Sequence, residues 1–222
     1  MSSSELKKIK RRGVLFFVLS LFTSAFSLLF FDQQLAVHYA EASREDLWVL
    51  AREITDIGLG SHYFLASSFI FVSLFLWRKM ARSSHQRRED LLHWSAQFFL
   101  SLCACGLVVF LLKALVGRER PHRSAPEYIP WNFESFNFHW HYQSFPSGHS
   151  QVLFTVATML AFFFPRGSVV FFLLASGLAF TRVITHSHYL SDCIWGAYIG
   201  WIVTTLVVIK YRRTLLSRSD VV

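Results

Sequence analysis

Six apolar runs divided by short polar segments are the feature of this 222-residue sequence that most restricts its fold. The runs cover residues 14–31, 62–77, 91–112, 151–164, 169–180 and 194–209. A helix that crosses a bilayer needs about 20 mostly apolar residues, and the shorter runs approach that length when their flanking Ser, Thr, Gly and His residues are included. With 53% hydrophobic residues and 24 Phe, the composition is too apolar for an ordinary soluble domain. We therefore expect an all-α integral membrane bundle of six transmembrane helices.

The Lys and Arg residues are concentrated in alternate connecting segments. They precede the first run, separate the second from the third and the fourth from the fifth, and follow the sixth: Lys7, Lys8, Lys10, Arg11, Arg12, Arg78, Lys79, Arg82, Arg87, Arg88, Arg166, Lys210, Arg212, Arg213 and Arg218. Basic segments stay on the cytoplasmic side, so we expect both termini there. This pattern accounts for the net charge of +8 without a nucleic-acid partner. The first run lacks a small-x-small cleavage site before Asp32, which favours an uncleaved helix.

Two polar segments on the opposite side have patterns of their own. Residues 34–56 mix apolar and charged residues with helical spacing, which predicts a helix lying in the membrane interface and ending near Gly58. The loop 118–145 is rich in aromatic residues: Tyr128, Trp131, Phe133, Phe136, Phe138, Trp140, Tyr142 and Phe145. This loop could anchor the chain at headgroup depth or form a wall for an acyl or isoprenoid chain. We expect one domain over residues 1–222, with a motif-bearing core at about 91–210.

Three basic residues, Lys113, Arg120 and Arg182, lie near the ends of apolar runs on this same side. Any one of them could simply extend to lipid headgroups. Together they suggest a polar cavity that binds an anion, because charges so near membrane helices are otherwise costly. Guanidinium groups hold phosphate oxygens with a planar fork, and Lys supplies a mobile charge. Ser147 and Gly148 precede another apolar run, where backbone N–H groups can also bind an anion. These features predict a phosphate site.

Two histidines and an aspartate form the candidate catalytic set. His188 and Asp192 are four residues apart, so on a helix they would lie on one face. Asp192 could then accept the proton of one ring nitrogen and leave the other free to attack phosphorus. His149 comes from a different segment and is the remaining candidate for the acid that protonates the leaving oxygen. These residue types predict hydrolysis of a phosphate ester.

The same residues resemble the signature of the type 2 phosphatidic acid phosphatase superfamily, which includes the vanadium haloperoxidases. Its three blocks read here as Lys113 to Arg120-Pro121, Pro146-Ser147-Gly148-His149, and Thr181-Arg182 to His188 to Asp192. Every spacing matches, and Thr181 replaces a Ser. The resemblance implies a six-helix membrane fold and a metal-independent phosphatase without a cofactor. It also implies a phosphohistidine on His188 oriented by Asp192, with His149 as acid. The groups that it implies hold the phosphoryl group are Lys113, Arg120, Arg182, Ser147 and Gly148.

The resemblance also narrows the substrate and the location. It implies a lipid phosphate in the outer leaflet of a bacterial inner membrane, with the site facing the periplasm. The candidates are undecaprenyl diphosphate, phosphatidylglycerol phosphate, phosphatidic acid and lipid A, and the aromatic loop is most similar to undecaprenyl-diphosphate and lipid A 1-phosphatase relatives. The alternatives are a lipid phosphotransferase with the same phosphohistidine, a vanadate-dependent peroxidase, against which the six spans argue, and a non-catalytic membrane protein. The oligomeric state stays open.

Three further residues are candidates for lesser roles at the site. Arg118 could bind a second phosphate, His186 could contact the substrate or its immediate surroundings, and Asp56 could lie at the mouth. The spacings His139-x-His141 and His186-x-His188 are compatible with a metal, but no Cys and few carboxylates accompany them, so we expect none.

The remaining small and sulfur-containing residues predict helix packing. Cys103 and Cys105 would point apart on a helix, so we expect no disulfide. Gly196 and Gly200 form a Gly-x-x-x-Gly pair in the last run, which favours close helix contact inside the bundle over dimerisation.

Overall fold

The computed structural model describes residues 3–41, 45–80 and 86–219. Within these residues the regular elements are helices, with no β-strand, and a long loop at 117–147 joins two of them. The helices are α1 (Ser3–Phe30), α2 (Asp32–Glu41), α3 (Glu45–Thr55), α4 (Gly60–Met80), α5 (Gln86–Val116), α6 (Gly148–Phe163), α7 (Ser168–Ile184) and α8 (Leu190–Ser219). Short 3₁₀ turns occur at Asp56–Gly58, Pro121–Arg123, Trp140–Tyr142 and Pro165–Gly167. The predicted all-α fold is confirmed.

Each of the six apolar runs lies within one of the helices α1 and α4–α8 except for the last residues of two runs, Phe31 and Phe164. Five described segments are long and apolar enough to cross a membrane: Arg11–Phe30, Asp46–Met80, Glu89–Val116, Pro165–Ile184 and Leu190–Arg212. The sixth, α6, is apolar but has 16 residues. Ser147 caps its N-terminus by accepting a hydrogen bond from the Ser150 N–H, and Pro165 opens the 3₁₀ turn that follows it. Five of the six predicted spans therefore have the expected length.

Helices α6 and α8 come into backbone contact at the centre of the bundle. A methyl group on Gly196 would lie 2.3 Å from the Ser147 carbonyl oxygen, and one on Gly200 would lie 2.4 Å from that of Gln151. Only glycine permits such an approach. The predicted use of the Gly-x-x-x-Gly pair within the bundle is therefore confirmed. Because α6 begins beside the start of α8, this contact fixes the first turns of both helices relative to each other.

The polar motifs all gather at one end of the bundle. The Ser147 N–H donates to the Asp192 carbonyl, which joins the starts of α6 and α8. Asp32, just after α1, accepts a hydrogen bond from the Ser191 N–H, and Thr181 in α7 donates to Thr55 at the end of α3. The opposite end holds the basic segments, as in the Arg78 to Glu89 ion pair and the stacking of Arg212 on Phe162. This separation is the one that the loop charges predict.

The predicted interfacial helix between residues 34 and 56 differs in its bounds. The structure has two helices there, α2 and α3, on either side of residues 42–44, which lie outside the described residues. The second helix ends at Thr55, and a 3₁₀ turn continues to Gly58, where the sequence places the end.

Cys103, Cys105 and Cys193 are free.

Candidate active site

Lys113, Arg120 and Arg182 come together from three segments to form a cationic side of the site. Lys113, in the last turn of α5, and Arg120 both donate to the Gln143 carbonyl, the latter through Nη2 at 3.3 Å. Arg120 also donates through Nη1 to the Ser187 carbonyl at 3.1 Å. Backbone carbonyls thus hold these cations in place without neutralising them, which is what an anion-binding site requires.

Arg182 completes this side from the last turn of α7. Its Nη1 donates to Thr55 Oγ1 at 3.2 Å, while its Nε–H is buried and has no hydrogen-bond partner among the described residues. A buried guanidinium N–H without a partner is costly, and an anionic ligand would satisfy it. Burial, and then the charge of Arg182, lowers the pKa of Arg120 to about 10, so Arg120 keeps its positive charge at neutral pH.

The turn that follows α5 carries Arg120 back over the site. Gly117 has a φ of +59°, and a methyl group there would lie 1.7 Å from the Glu134 carbonyl oxygen. Glycine alone fits this left-handed conformation and close approach. The chain then pairs in one antiparallel bridge between Arg118 and Phe133. The position of Arg120 therefore depends on a glycine at one of the variable positions between Lys113 and Arg120.

Ser147, Gly148 and His149 form the cap and first turn of α6. The first N–H groups of a helix have no partner inside it and attract anions. A methyl group on Gly58 would lie 3.2 Å from His149 Cδ2, so the 3₁₀ turn after α3 packs directly against this ring. His149 is near enough to Arg182, Arg120 and Lys113 to interact with them electrostatically. The structure thus brings the second motif to the cationic side.

His188 lies in the bend before α8 and is 2% exposed. Its Nδ1 is 2.7 Å from the Ser144 carbonyl, an acceptor only, so Nδ1 carries the proton and Nε2 a lone pair. Burial, and then the charges of Arg120, Lys113 and Arg182, lowers the pKa of His188 well below its ordinary 6.5. The ring is therefore neutral at physiological pH, the state that a nucleophile needs.

The predicted direct hydrogen bond from His188 to Asp192 is absent. The Nδ1 of His188 lies 3.8 Å from Asp192 Oδ2, while Oδ2 accepts hydrogen bonds from Ser144 Oγ at 2.6 Å and from the Tyr189 N–H at 2.9 Å. The prediction assumed that both residues lie on one helix. Because α8 begins at Leu190, His188 lies outside it and the one-turn geometry does not apply. Ser144 stands between the two side chains.

Arg118 does not occupy a place where it could bind a second phosphate. It is 2% exposed and forms ion pairs with Asp32 at 2.9 Å and with Asp192 at 2.5 Å. Its Nε donates to the Pro130 carbonyl, and its guanidinium lies 4.3 Å from the Tyr189 ring centroid. Burial lowers the pKa of Arg118, but the charges of Asp192 and Asp32 outweigh it and raise that pKa. The sequence does not show these two buried carboxylate partners, which leave the second-phosphate role without support, while the predicted place of Arg118 just behind the catalytic groups stays a prediction.

His186 and Asp56 border the site. The His186 ring approaches the Ala36 carbonyl in α2 with Nε2 at 3.0 Å, which ties the turn before α8 to α2. It also lines a cavity of about 720 Å³ together with Tyr39, Trp48, His122 and Tyr128. Asp56 is exposed at the start of its 3₁₀ turn and interacts electrostatically with Arg182. Their predicted roles near the substrate stay predictions.

The histidine pairs with metal-compatible spacing do not belong to a larger ligand cluster. Across residues 3–41, 45–80 and 86–219, no three His, Cys, Asp or Glu side chains are grouped so that they could hold a metal ion. The His139 and His141 rings are 4.5 Å apart between centroids, and His188 Nδ1 is taken by Ser144.

Sequence reasoning missed Asp32, Ser144 and Thr55. Asp32 could have been found from the sequence, because a carboxylate directly after an apolar run needs a partner of opposite charge if it is buried. Arg118, a basic residue that the three motifs do not account for, was the candidate partner. Ser144 and Thr55 had no such signal, because a single hydroxyl in a polar loop has no distinguishing pattern.

Residues 94–215 match the PAP2 superfamily, over the segment that carries all three motifs. The chain belongs to this superfamily. It is 32% identical over 192 residues to a lipid A 1-phosphatase from Rhizobium etli, covering 85% of this chain and 81% of that protein. It is 31% identical over 189 residues to a lipid A 1-phosphatase from Rhizobium johnstonii, covering 84% and 76%.

Two solved structures share the fold. Aquifex aeolicus LpxE has a TM-score of 0.52 and 23% identity and covers 80% of this chain and 94% of its own. The PAP2-type transmembrane phosphatidylglycerolphosphate phosphatase from Bacillus subtilis has a TM-score of 0.56 and 20% identity, with coverage of 90% and 96%. Together with the apolar helices, membership of the superfamily makes the chain an integral membrane phosphatase.

Proposed function

We propose that this protein removes a phosphate group from a membrane lipid through a phosphohistidine on His188. The observation that carries the proposal is the meeting of three incompletely neutralised cations with a neutral, oriented imidazole at one end of an apolar bundle. In that arrangement the unpaired Arg182 Nε–H and the first N–H groups of α6 are available to phosphate oxygens.

The first step transfers the phosphoryl group to the enzyme. The Nε2 lone pair of His188 attacks phosphorus while the bond to the lipid oxygen breaks. His149, which takes up a proton when the phosphate dianion binds beside it, gives that proton to the leaving oxygen. Lys113, Arg120 and Arg182 stabilise the charge on the three equatorial oxygens. The Ser144 carbonyl stabilises the His188 ring as it gains positive charge, because it accepts the Nδ1 hydrogen.

The second step releases phosphate. Water attacks the phosphohistidine with its proton going to His149, which the first step left neutral, and the N–P bond breaks to restore the His188 lone pair. The side chains supply the positive charge for both steps, so the proposal includes no metal and no cofactor. Transfer to an alcohol instead of water would make the protein a phosphotransferase.

The substrate that we propose first is the 1-phosphate of lipid A, because two relatives above 30% identity bear that name. Undecaprenyl diphosphate, phosphatidylglycerol phosphate and phosphatidic acid are the other candidates. We place the site at the periplasmic face of a bacterial inner membrane, with both termini in the cytoplasm, since the basic segments lie at the opposite end of the bundle. Exposed Trp131, Phe136 and Phe138 suit a loop at the headgroup depth of such lipids.

The test is phosphate release by the purified protein from each of these four lipids in detergent micelles, with and without a chelator. We expect release from at least one lipid, no loss with the chelator, and a labelled phosphoenzyme that forms on wild type but not on His188→Gln. Product analysis with added glycerol separates hydrolysis from transfer. Release by His188→Gln at the wild-type rate, or dependence on a divalent ion, would exclude the mechanism.

A further inference from the structure

Asp32, the first residue of α2, is 1% exposed although the sequence motifs do not include it and it precedes the segment that matches the superfamily. Both carboxylate oxygens are fully engaged. Oδ1 accepts hydrogen bonds from Ser27 Oγ at 2.8 Å and from the Ser191 N–H at 3.1 Å. Oδ2 accepts hydrogen bonds from Arg118 Nη2 at 2.9 Å and from Ser191 Oγ. A buried carboxylate with this many donors is held in one position.

Arg118 links Asp32 to Asp192. Its Nη2 binds Asp32, and its Nη1 binds Asp192 Oδ1 and, at 2.7 Å, Ser191 Oγ. The guanidinium is planar and rigid, so its two terminal nitrogens cannot move independently. If Asp32 loses its charge, Arg118 is left with one carboxylate and is free to turn toward it. The position of Asp192 therefore depends on Asp32.

Ser144 transmits that position to the nucleophile. It is 0% exposed and makes three hydrogen bonds: its Oγ donates to Asp192 Oδ2 at 2.6 Å, its carbonyl accepts from His188 Nδ1 at 2.7 Å, and its N–H donates to the Arg118 carbonyl at 2.9 Å. A shift of Asp192 therefore moves the acceptor that aims the His188 ring. In-line attack on phosphorus is sensitive to displacements of about 1 Å.

The charges of this group also match its surroundings. Two carboxylates around one guanidinium leave one net negative charge, which faces the cationic side. Asp192 is close enough to interact electrostatically with Lys113 and Arg120. The group thus forms an anionic side of the site, defined by Asp32, Arg118, Asp192 and Ser144, and it offsets part of the charge of the three cations between turnovers.

We infer that Asp32 is a positioning residue for His188 and acts through Arg118, Asp192 and Ser144. The inference rests on the proposed function of His188 as nucleophile. It assigns to the N-terminal helix pair a part in catalysis in addition to holding the bundle together.

The kinetic test compares Asp32→Asn, Ser144→Ala and the double variant with wild type on the best lipid substrate. Asparagine keeps the shape of Asp32 without its charge, and Ser144→Ala removes the hydroxyl but keeps the carbonyl. We expect each single variant to lower kcat about 10- to 100-fold with KM changed less than about two-fold, and the double variant to lose no more than the worse single one. Thr204→Val is the control: it removes buried hydrogen bonds deep in the bundle, and we expect a lower Tm with unchanged kcat.

A second measurement does not depend on turnover. In protein labelled with ¹⁵N-histidine, the Nδ1–H signal of His188, identified by its loss in His188→Asn, should shift in Asp32→Asn and stay in place in Thr204→Val. Folded Asp32→Asn with wild-type kcat, a loss confined to KM, additive losses in the double variant, or an unmoved His188 signal would each overturn the inference. If Asp32→Asn does not fold, Ser144→Ala decides, and wild-type kcat in that variant overturns it. If wild type hydrolyses none of the lipids, the proposed function fails, while the His188 signal still tests the positioning.

Discussion

Arg118 and Arg120 are two residues apart in the same loop, yet one faces two carboxylates and the other faces two cations. Arg118, on the anionic side, has its guanidinium committed to Asp32, Asp192 and neighbouring hydroxyl and carbonyl groups. Arg120, on the cationic side, is bound to backbone carbonyls and lies near Lys113 and Arg182. The charge of Arg118 is neutralised inside the protein, while that of Arg120 remains available to a substrate.

The contrast shows how one residue type can serve two purposes at a single site. Burying an ion pair fixes geometry, because a charge that loses its partner in a low dielectric is costly. A buried cation without a counter-charge is unfavourable in the same way, and binding of an anion removes that unfavourable free energy. His188 stands between the two sides: the anionic side aims it, while burial and then the charges of the cationic side lower its pKa.

Substitution of His188 should cause the largest loss of activity. We expect His188→Ala to lower kcat at least about 10³-fold, because without the nucleophile no phosphohistidine can form. The Tm should change little, since the ring makes one hydrogen bond, to Ser144. Phosphate release and a thermal melt of the same preparation check both parts, and a normal melt with retained turnover would refute the assignment.

Arg120→Ala should be the next largest loss of activity. Removing one charge-stabilising group from a phosphoryl-transfer site costs about 10²–10³-fold in kcat/KM. Arg120→Lys, which keeps a charge but lacks the fork, should recover part of it. Initial rates across substrate concentrations measure this. Equal activity of Arg120→Ala and wild type would show that the cationic side does not act on the substrate.

Arg118→Ala should differ from Arg120→Ala in stability. Its removal leaves Asp32 and Asp192 buried without a counter-charge, which destabilises by about 3–5 kcal/mol. We therefore expect a much lower Tm in detergent for Arg118→Ala than for Arg120→Ala. Similar melting temperatures for the two variants would contradict the claim that Arg118 stabilises the fold as a buried counter-charge and Arg120 does not.

The smallest expected effect is a pH dependence of stability. The pKa of His188 is lower in the folded protein than its ordinary 6.5, so below that value the unfolded chain takes up the proton first. The stability that His188 contributes is complete above 6.5 and falls as pH decreases, by at most about 1.4 kcal/mol per pH unit. His188→Asn, whose amide can still donate to Ser144, should show a shallower decline in Tm. Parallel curves for the two proteins would contradict the origin assigned to the shift.

Much of the fold could be predicted from local pattern. Each apolar run became a helix, and Gly196 and Gly200 mark the contact between α6 and α8. The spacing of the three motifs indicated which side chains would meet at one end. The predicted hydrogen bond from His188 to Asp192 is not formed, because spacing alone does not show where a helix begins and α8 starts two residues after His188. The single interfacial helix proved to be α2 and α3 for a related reason: helix ends depend on capping and packing more than on periodicity.

Hydrophobic length, loop charge and motif spacing are written along the chain, so they were enough to predict a helical membrane bundle with its motif residues gathered at one end. The fold, in contrast, settled that Asp32 and Asp192 neutralise Arg118 while Arg120 has no carboxylate partner in the described part of the chain, and that the Ser144 carbonyl holds the His188 ring. Those outcomes depend on Asp32 and Ser144, which lie 86 and 26 positions from Arg118 in the chain. Burial and counter-charge act through distance in space, and the sequence records no such distance.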